Sequence, residues 1–366
     1  MDDEPYILWL DDCDRTSMSL VGGKCASLGD MIKANINVPP GFAVTTAAYR
    51  DFLVEAGVGQ EVQKILAAVC PDDVEATEKA SLTIRQLMGS SPIPAKIEDS
   101  ICRAYQELCG ECGVADLPVA VRSSATAEDL PGASFAGQQD TTLWVRTAGS
   151  VMIRTAICWS SLFTARAISY RLAMGFPHDK VLISVGVQKM ANARVAGVMF
   201  TLNPSNGDRS TIAIDASWGL GESVVSGMVT PDNFLVNRIT KDVIRRVASP
   251  KLLEYIPDPE GQKAVVMDVP PERQYALCMT DEEVQAVAIL GECLDVYYHH
   301  PQAIEWALDR DLPFPRSIVA LQCRPETVWS RKPRESIIKQ KGGPLDYVVA
   351  NMLAGVRTGL NHSRKD

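Results

Sequence analysis

Hydrophobic side chains recur at helical spacing through the first third of the chain. Ala26, Leu28, Met31 and Ile32 share one helical face after a Gly-Gly turn, and Thr45 and Thr46 are candidate N-caps for a following helix. Two later segments show the amphipathic pattern of surface helices. The helices predicted in this part are residues 17–34, 49–56, 73–88 and 95–109.

The pattern changes near Leu117, where short apolar runs and turn residues predict strands. A buried-looking strand, residues 119–121, ends in Arg122. Thr280 followed by Glu283 is a capping-box signature, which predicts where a late helix begins. The other predicted elements are a strand at 141–145, a long helix at 151–174, strand-rich sequence at 181–240, a helix at 281–298, strands at 303–309 and 317–324, and a tail helix at 345–356. Mixed elements of this kind predict an α+β fold.

Composition narrows the range of functions. The 366 residues are 46% hydrophobic and 22% charged, with a formal net charge of −9. An acidic chain without a basic run is a poor ligand for nucleic acid or for a membrane surface. The N-terminus lacks the features of a signal peptide, and no apolar run is long enough to span a bilayer. Ten scattered cysteines, including Cys109 and Cys112, are most simply read as thiols in a reducing cytoplasm.

Lys24 follows Gly22 and Gly23 at the start of a predicted helix. A glycine pair lets the backbone approach an anion, the helix N-terminus favours negative charge, and a lysine adds a point charge for phosphate. A surface lysine after a turn is an equally simple interpretation of this short motif.

Arg122 stands at the end of a predicted buried strand, where an unpaired arginine is unusual. Its guanidinium could grip two phosphate oxygens, or it could pair with Glu128 or Asp129. The loop at residues 130–139 carries Gly132 and Gly137, and a flexible glycine loop can close over phosphates and exclude water. A plain surface loop is the alternative.

Two late strands carry a candidate metal site. If they form a hairpin, alternation places Glu305, Gln322 and Arg324 on one face. Carboxylate and amide oxygens suit Mg²⁺, and the arginine offsets phosphate charge. The same alternation predicts that three residues of the second strand face the opposite, apolar side: Val319, Leu321 and Cys323. A solvated sheet face is the alternative interpretation.

Several longer motifs resemble one family. They are VGGKCASLGDM, VPPGFAVTTAAYRDFL, VAVRSSATAEDLPGASFAGQQDT, VGVQKM, GVMFT, GLGESVVSG, IEWAL and LQCRPET. In this order they are similar to the ATP-binding domain shared by phosphoenolpyruvate synthase, pyruvate phosphate dikinase and rifamycin phosphotransferase. The resemblance runs from about Leu20 to Trp329 and implies a bilobed, ATP-grasp-like fold. The implied parts are an N-terminal lobe at 1–190, a C-terminal lobe with the metal-binding hairpin at 191–330, and a tail at 331–366.

The resemblance also implies roles for single residues. Lys24, Arg122 and Arg324 would contact phosphates and carry the catalysis, with Thr141 and the loop from Gly132 to Gly137 holding and covering the phosphates. The residues implied near the adenine or ribose are Gln188, Lys189 and Met190, with Glu222 as a further acid in the nucleotide site. Glu305 and Gln322 would bind Mg²⁺.

In this family the β-phosphoryl group of ATP passes to a histidine on a separate swivelling domain, giving AMP and phosphate. The four histidines are His178, His299, His300 and His362, and none lies in a Thr-Ser-His type motif. We therefore expect a partner subunit that carries the phosphohistidine and acceptor domains. The nearest arrangement is that of phenylphosphate synthase, with phenol as final acceptor.

Three alternatives stay open: a rifamycin-type phosphotransferase module, a non-catalytic regulatory subunit, and a kinase that transfers the γ-phosphate. The second is suggested by Ala303, because the family usually has aspartate two residues before the glutamate of this strand.

Overall fold

The computed structural model describes residues 4–70, 73–126, 141–258 and 263–329. Most of the chain, Met1–Glu326, forms one compact unit, and a second unit begins at Thr327. The expected tail at 331–366, with its helix, lies outside the described residues, as do Gly132 and Gly137 of the glycine loop.

Two sheets organise the compact unit. The strands are β1 (Ile7–Trp9), β2 (Gly41–Val44), β3 (Val119–Ala125), β4 (Thr141–Val145), β5 (Ile183–Lys189), β6 (Ala193–Phe200), β7 (Thr211–Trp218), β8 (Asp232–Asn237), β9 (Val243–Val247), β10 (Leu253–Pro257), β11 (Ala264–Asp268), β12 (Gln302–Asp309) and β13 (Ile318–Pro325). A five-stranded sheet has the order β1-β2-β5-β3-β4, and a six-stranded sheet has the order β13-β12-β6-β7-β8-β9. The remaining strands, β10 and β11, pair as a separate ribbon.

The helices are distributed unevenly between the lobes. They are α1 (Met18–Lys33), α2 (Thr46–Glu55), α3 (Val58–Ala67), α4 (Val74–Ser90), α5 (Ala95–Cys112), α6 (Ala148–Ser160), α7 (Ala165–Met174), α8 (Glu222–Val225), α9 (Pro271–Gln274) and α10 (Asp281–Tyr298). Helices α2 to α7 join the five-stranded sheet in one apolar core, which includes Phe52, Trp159 and Ile183. The six-stranded sheet packs against α10 through a second core, which includes Phe234, Leu294 and Trp306.

Helix α1 belongs to both lobes. Its apolar residues Cys25, Leu28 and Met31 pack into the core of the six-stranded sheet. The same helix lies against β3 and β5 of the five-stranded sheet and against β13 of the other. The sheets therefore divide near residue 190, whereas the helix that carries Lys24 spans the division.

The long helix predicted for 151–174 is wrong, because two helices stand there. Helix α6 ends at Ser160, a short 3₁₀ turn follows at Ser161–Phe163, and Thr164 caps α7 by accepting a hydrogen bond from the Ala167 N–H. The hydroxyls of Ser160 and Ser161 bond to carbonyls of the preceding turn. Such local bonds compete with helix continuation, which explains the break in an otherwise apolar sequence.

Two other predicted boundaries also change. Strand β3 does not end before Arg122 but continues to Ala125, because β5 pairs along its whole length. The glycine pair does not precede a helix: Met18–Lys33 is helical on both sides of Gly22, whose φ of 68° kinks it. By contrast, the capping box of Thr280 and Glu283 at the start of α10 is confirmed.

Candidate nucleotide-binding site

A cavity of about 470 Å³ is lined by both sheets. Its lining includes every described residue for which a nucleotide or metal role is predicted: Lys24, Arg122, Thr141, Gln188, Lys189, Met190, Glu222, Glu305, Gln322 and Arg324. These residues come from seven separate stretches of the chain. The fold thus brings the candidates together, while their individual roles stay predictions.

Lys24 reaches the cavity because of the kink at Gly22. A Cβ atom at Gly22 would lie only 2.1 Å from the backbone oxygen of Ser124, so α1 can approach β3 this closely only with glycine there. The close approach is therefore to protein backbone and not to an anion, as the glycine pair had suggested. Lys24 Nζ donates to the Ser123 carbonyl at 2.9 Å. This bond holds the ammonium beside the strand that carries Arg122.

Arg122 crosses from the five-stranded sheet to the strands of the other lobe. Its guanidinium donates to the Leu321 carbonyl at 2.8 Å and to Gln322 Oε1 at 2.6 Å. It also forms an ion pair with Glu305 Oε2 at 3.3 Å. The pairing candidates Glu128 and Asp129 lie outside the described residues. In this structure, then, the arginine contacts both residues predicted to bind metal, and Glu305 supplies the opposing charge.

Strands β12 and β13 form the predicted hairpin. Glu305 stands directly opposite Gln322, and Ala303 opposite Arg324. The register shifts after Glu305, so that Trp306 pairs with Ala320 and Leu321 has no partner on β12.

This bulge makes part of the predicted alternation wrong. Leu321 lines the cavity, and Val319, opposite Ala307, packs in the small apolar cluster beside it. Cys323 faces the other core, as expected. An extra residue in one strand reverses the alternation beyond it, and no pattern in the apolar run signals its place.

Glu305 and Gln322 fit a magnesium ion. Their oxygens lie 3.3 and 2.6 Å from the same Arg122 nitrogen, so both point toward one place. Within the described ranges, no group of three or more His, Cys, Asp or Glu side chains could hold a metal. Mg²⁺ commonly takes one or two protein oxygens and completes its shell with water and phosphate, so a two-residue site suits it.

Glu222, at the start of α8, adds a second carboxylate to the part of the cavity lining that comes from the C-terminal lobe. Desolvation in the cleft raises the pKa of its side chain, the negative charge of Glu305 raises it further, and Arg122 lowers it in part. Two carboxylates that oppose each other's ionisation favour a cation between them. The C-terminal lobe thus presents an acidic surface to the cavity.

The cavity is also lined by the segment in which the chain passes from β5 into β6. Gln188 is buried, and its Nε2 donates to the Pro39 carbonyl at 3.1 Å. The amides of Lys189 and Met190 donate to the carbonyls of Pro40 and Pro118. This backbone is therefore fixed, and the Met190 side chain packs beside the apolar lining.

The sequence patterns did not predict the apolar part of the cavity lining. It consists chiefly of Leu143, Ala193, Ala196, Leu220, Ala307 and Leu321. The small residues at 191, 193 and 196 were the available signal, because small side chains in a buried strand leave room for a flat ligand. A largely apolar lining that also carries a few polar and charged groups is typical of cofactor and nucleotide pockets.

A bilobed α+β fold whose cleft is lined by cations, carboxylates and apolar side chains is typical of a nucleotide-binding protein. Residues 18–342 match the family described as "Pyruvate phosphate dikinase, AMP/ATP-binding domain". The chain therefore belongs to that family, and its fold is ATP-grasp-like. A domain of this family takes ATP as its nucleotide, and this cavity is the candidate site for it.

Curated relatives agree. The chain is 42% identical to a probable phosphoenolpyruvate synthase of Staphylothermus marinus, over 92% of this chain and 43% of the relative. It is 40% identical to one of Methanocaldococcus jannaschii, over 98% and 30%. It is 41% identical to a phosphoenolpyruvate synthase of Aeropyrum pernix, over 91% and 44%. The chain thus spans less than half the length of these relatives.

Two further observations concern the cysteines and the helices. All ten cysteines lie in described residues and are free thiols. No helix in the part of the chain that the structure describes is long and apolar enough to cross a membrane.

Proposed function

We propose that this chain is the ATP-binding component of a dikinase-type phosphotransferase. It would direct the β-phosphoryl group of ATP to a histidine on a partner subunit, with AMP and phosphate as products. The observation that carries the proposal is the cavity, whose lining brings cations, carboxylates and amides together with apolar side chains. The proposed lobes are residues 1–190 and 191–330, with a tail at 331–366.

The cations would act on the charge that develops during transfer. Phosphoryl transfer spreads negative charge over oxygens, and fixed positive groups lower its energy without rearranging. Lys24 and Arg122 would do this from the N-terminal lobe and Arg324 from the C-terminal lobe. Glu305 and Gln322 would hold Mg²⁺, which supplies further neutralisation of the phosphates when bound. Thr141 and the glycine loop would complete the phosphate site.

The acceptor histidine would come from outside the cavity. Among the described histidines, none lines it. His178 Nδ1 accepts a hydrogen bond from Arg171, His299 ends α10 in a left-handed conformation, and His300 contacts Gln302. His362 lies outside the described residues. These surroundings support a histidine supplied by a partner that also carries the final acceptor site.

We propose phenol as the final acceptor, as in phenylphosphate synthase, and a reducing cytoplasm as the compartment. A rifamycin-type module, a non-catalytic nucleotide-binding subunit and a γ-phosphate kinase remain the rival functions. Ala303 stands opposite Arg324 on the cavity hairpin, so a second metal would lack a carboxylate at this position.

The test is the fate of labelled ATP. The purified chain is mixed with a candidate histidine-bearing partner, Mg²⁺ and ATP labelled at either the β- or the γ-phosphate. We expect β-label on the partner in an acid-labile, base-stable form, and γ-label in inorganic phosphate. ADP as product with γ-label on the partner would establish a γ-phosphate kinase. No label on any partner, despite ATP binding, would favour the regulatory subunit, and phenol against rifamycin as final acceptor separates the remaining two.

A further inference from the structure

Arg122 is already bound to the residues that are proposed to hold metal. One terminal nitrogen lies 2.6 Å from Gln322 Oε1 and 3.3 Å from Glu305 Oε2. The contact is sheltered, since the side chain of Arg122 is 15% exposed and that of Glu305 is 30% exposed. A charge-assisted contact with limited solvent access is stronger than a surface ion pair.

The guanidinium and a divalent cation need the same oxygens. A metal ligand directs a lone pair at the ion, and here those lone pairs already face the N–H groups of Arg122. A cation bound to these oxygens would also lie close to the guanidinium, and two positive groups that are close together repel each other. A cation that binds through these oxygens therefore competes with the arginine nitrogen for both of them.

The other half of the guanidinium has an independent anchor. Its second terminal nitrogen donates to the carbonyl of Leu321 at 2.8 Å. Leu321 is the bulged residue of β13, and this bond uses neither proposed metal ligand. Arg122 can thus lose its contacts with Glu305 and Gln322 while it remains tethered beside them.

We propose that Arg122 is a latch that couples divalent-cation binding to phosphate binding. Without metal, the guanidinium covers the oxygens of Glu305 and Gln322 and is itself neutralised. A cation that takes these oxygens releases the guanidinium, still tethered to Leu321, for the phosphates. The proposal rests on the proposed function, because it assigns an order to the groups of the same site: the metal makes the arginine available.

The latch predicts effects of opposite sign for one substitution. Without nucleotide, Arg122→Met removes the competitor and should tighten binding of Mn²⁺, a paramagnetic substitute for Mg²⁺ at oxygen sites, by about tenfold. With Mn²⁺ present, the same variant should bind a non-hydrolysable ATP analogue at least about tenfold more weakly, because a phosphate contact is lost. Mn²⁺ binding is followed by electron paramagnetic resonance and analogue binding by calorimetry.

Lys24→Met is the matched control for charge. It removes one positive charge from the same cavity, but Lys24 Nζ donates to the Ser123 carbonyl and not to a metal ligand. We expect its nucleotide-free Mn²⁺ affinity to change less than about threefold. Circular dichroism and thermal unfolding verify that both variants fold.

Three results would overturn the latch. Equal tightening in Arg122→Met and Lys24→Met would show a general charge effect. Unchanged or weaker Mn²⁺ binding by folded Arg122→Met would show that the arginine does not compete. Mn²⁺ binding unaffected by Glu305→Gln would place the cation elsewhere. The metal titration contains no nucleotide, so its failure is distinct from a failure to form AMP, which concerns the proposed function.

Discussion

The N-terminal and C-terminal lobes contribute opposite charges to the cavity. From the first come Lys24 and Arg122, and from the second come Glu222 and Glu305, with Arg324 beside them. Neither lobe alone can neutralise a triphosphate and also hold its metal. The candidate site therefore lies where the lobes meet, and Arg122, which bonds to Leu321, Gln322 and Glu305, links the two lobes directly.

The lobes also bury a cation in different ways. Lys251 in the C-terminal lobe is fully buried and paired with Asp232, which also accepts from the amides of Ser249 and Cys278. Arg171 in the N-terminal lobe is 1% exposed, and among described residues it forms no ion pair with a carboxylate. It donates to His178 Nδ1 and to the Leu162 carbonyl. One lobe therefore uses an ion pair and the other uses neutral acceptors.

The largest expected effect on phosphoryl transfer comes from removing a positively charged side chain that the N-terminal lobe contributes to the cavity. Lys24→Ala should lower phosphoryl transfer by about 10³-fold or more, because a fixed charge for the phosphates is lost. Turnover with the partner protein is the measurement. Lys33→Ala, on the same helix but paired with Asp14 at the surface, is the control and should keep the wild-type rate. Equal rates in all three proteins would remove Lys24 from the site.

The next largest effect is expected from breaking the buried ion pair between Lys251 and Asp232 in the C-terminal lobe. Asp232→Asn leaves the Lys251 ammonium buried without a counter-charge, which should cost about 3–5 kcal/mol of the free energy of unfolding. Urea denaturation measures it. Asp281→Asn breaks the exposed pair with Arg246 and should cost less than about 1 kcal/mol. Similar losses in the two variants would contradict the role given to burial.

The carboxylates that the C-terminal lobe contributes to the cavity can be tested through the Mg²⁺ ion that Glu305 is proposed to bind. Glu305→Gln keeps the shape of the side chain but removes its charge, and should raise the Mg²⁺ concentration for half-maximal transfer by about tenfold. Activity is titrated with Mg²⁺ at saturating ATP. Glu78→Gln, on the exposed face of α4, controls for net charge. A curve that coincides with wild type would exclude Glu305 as a ligand.

The smallest expected effect is on the pH dependence of stability, and it depends on His178, the neutral partner of Arg171. Burial and the charge of Arg171 lower the pKa of His178 from 6.5 to about 4, so the fold favours the neutral ring. As pH falls from 6.5 to 4, the unfolded chain takes up a proton that the folded protein does not. Stability should therefore decrease over this window by roughly 1–2 kcal/mol and level off below it.

His178→Gln tests this prediction, because it offers Arg171 an oxygen acceptor that does not titrate. Its free energy of unfolding, measured from pH 7 to pH 4, should depend less steeply on pH than that of wild type. Parallel curves would show that His178 does not titrate as described.

The sequence predicted much of the site because its signals were local. The capping box at Thr280 and the hairpin that places Glu305 and Gln322 on one face follow from short-range rules, and both are confirmed. The break after Ser160 and the bulge at Leu321 were missed, because each interrupts a regular element over only a few residues. Periodicity alone does not register such changes.

By itself, then, the sequence determined the class of the fold and the kinds of chemical group available, because residue spacing encodes helices, strands and their faces. Only the tertiary structure decided that Gly22 serves contact with Ser124, that Leu321 turns into the cavity, and that Arg122 lies on Glu305 and Gln322. These are contacts between residues about 100 to 200 positions apart. They depend on how two sheets pack, which no local pattern specifies.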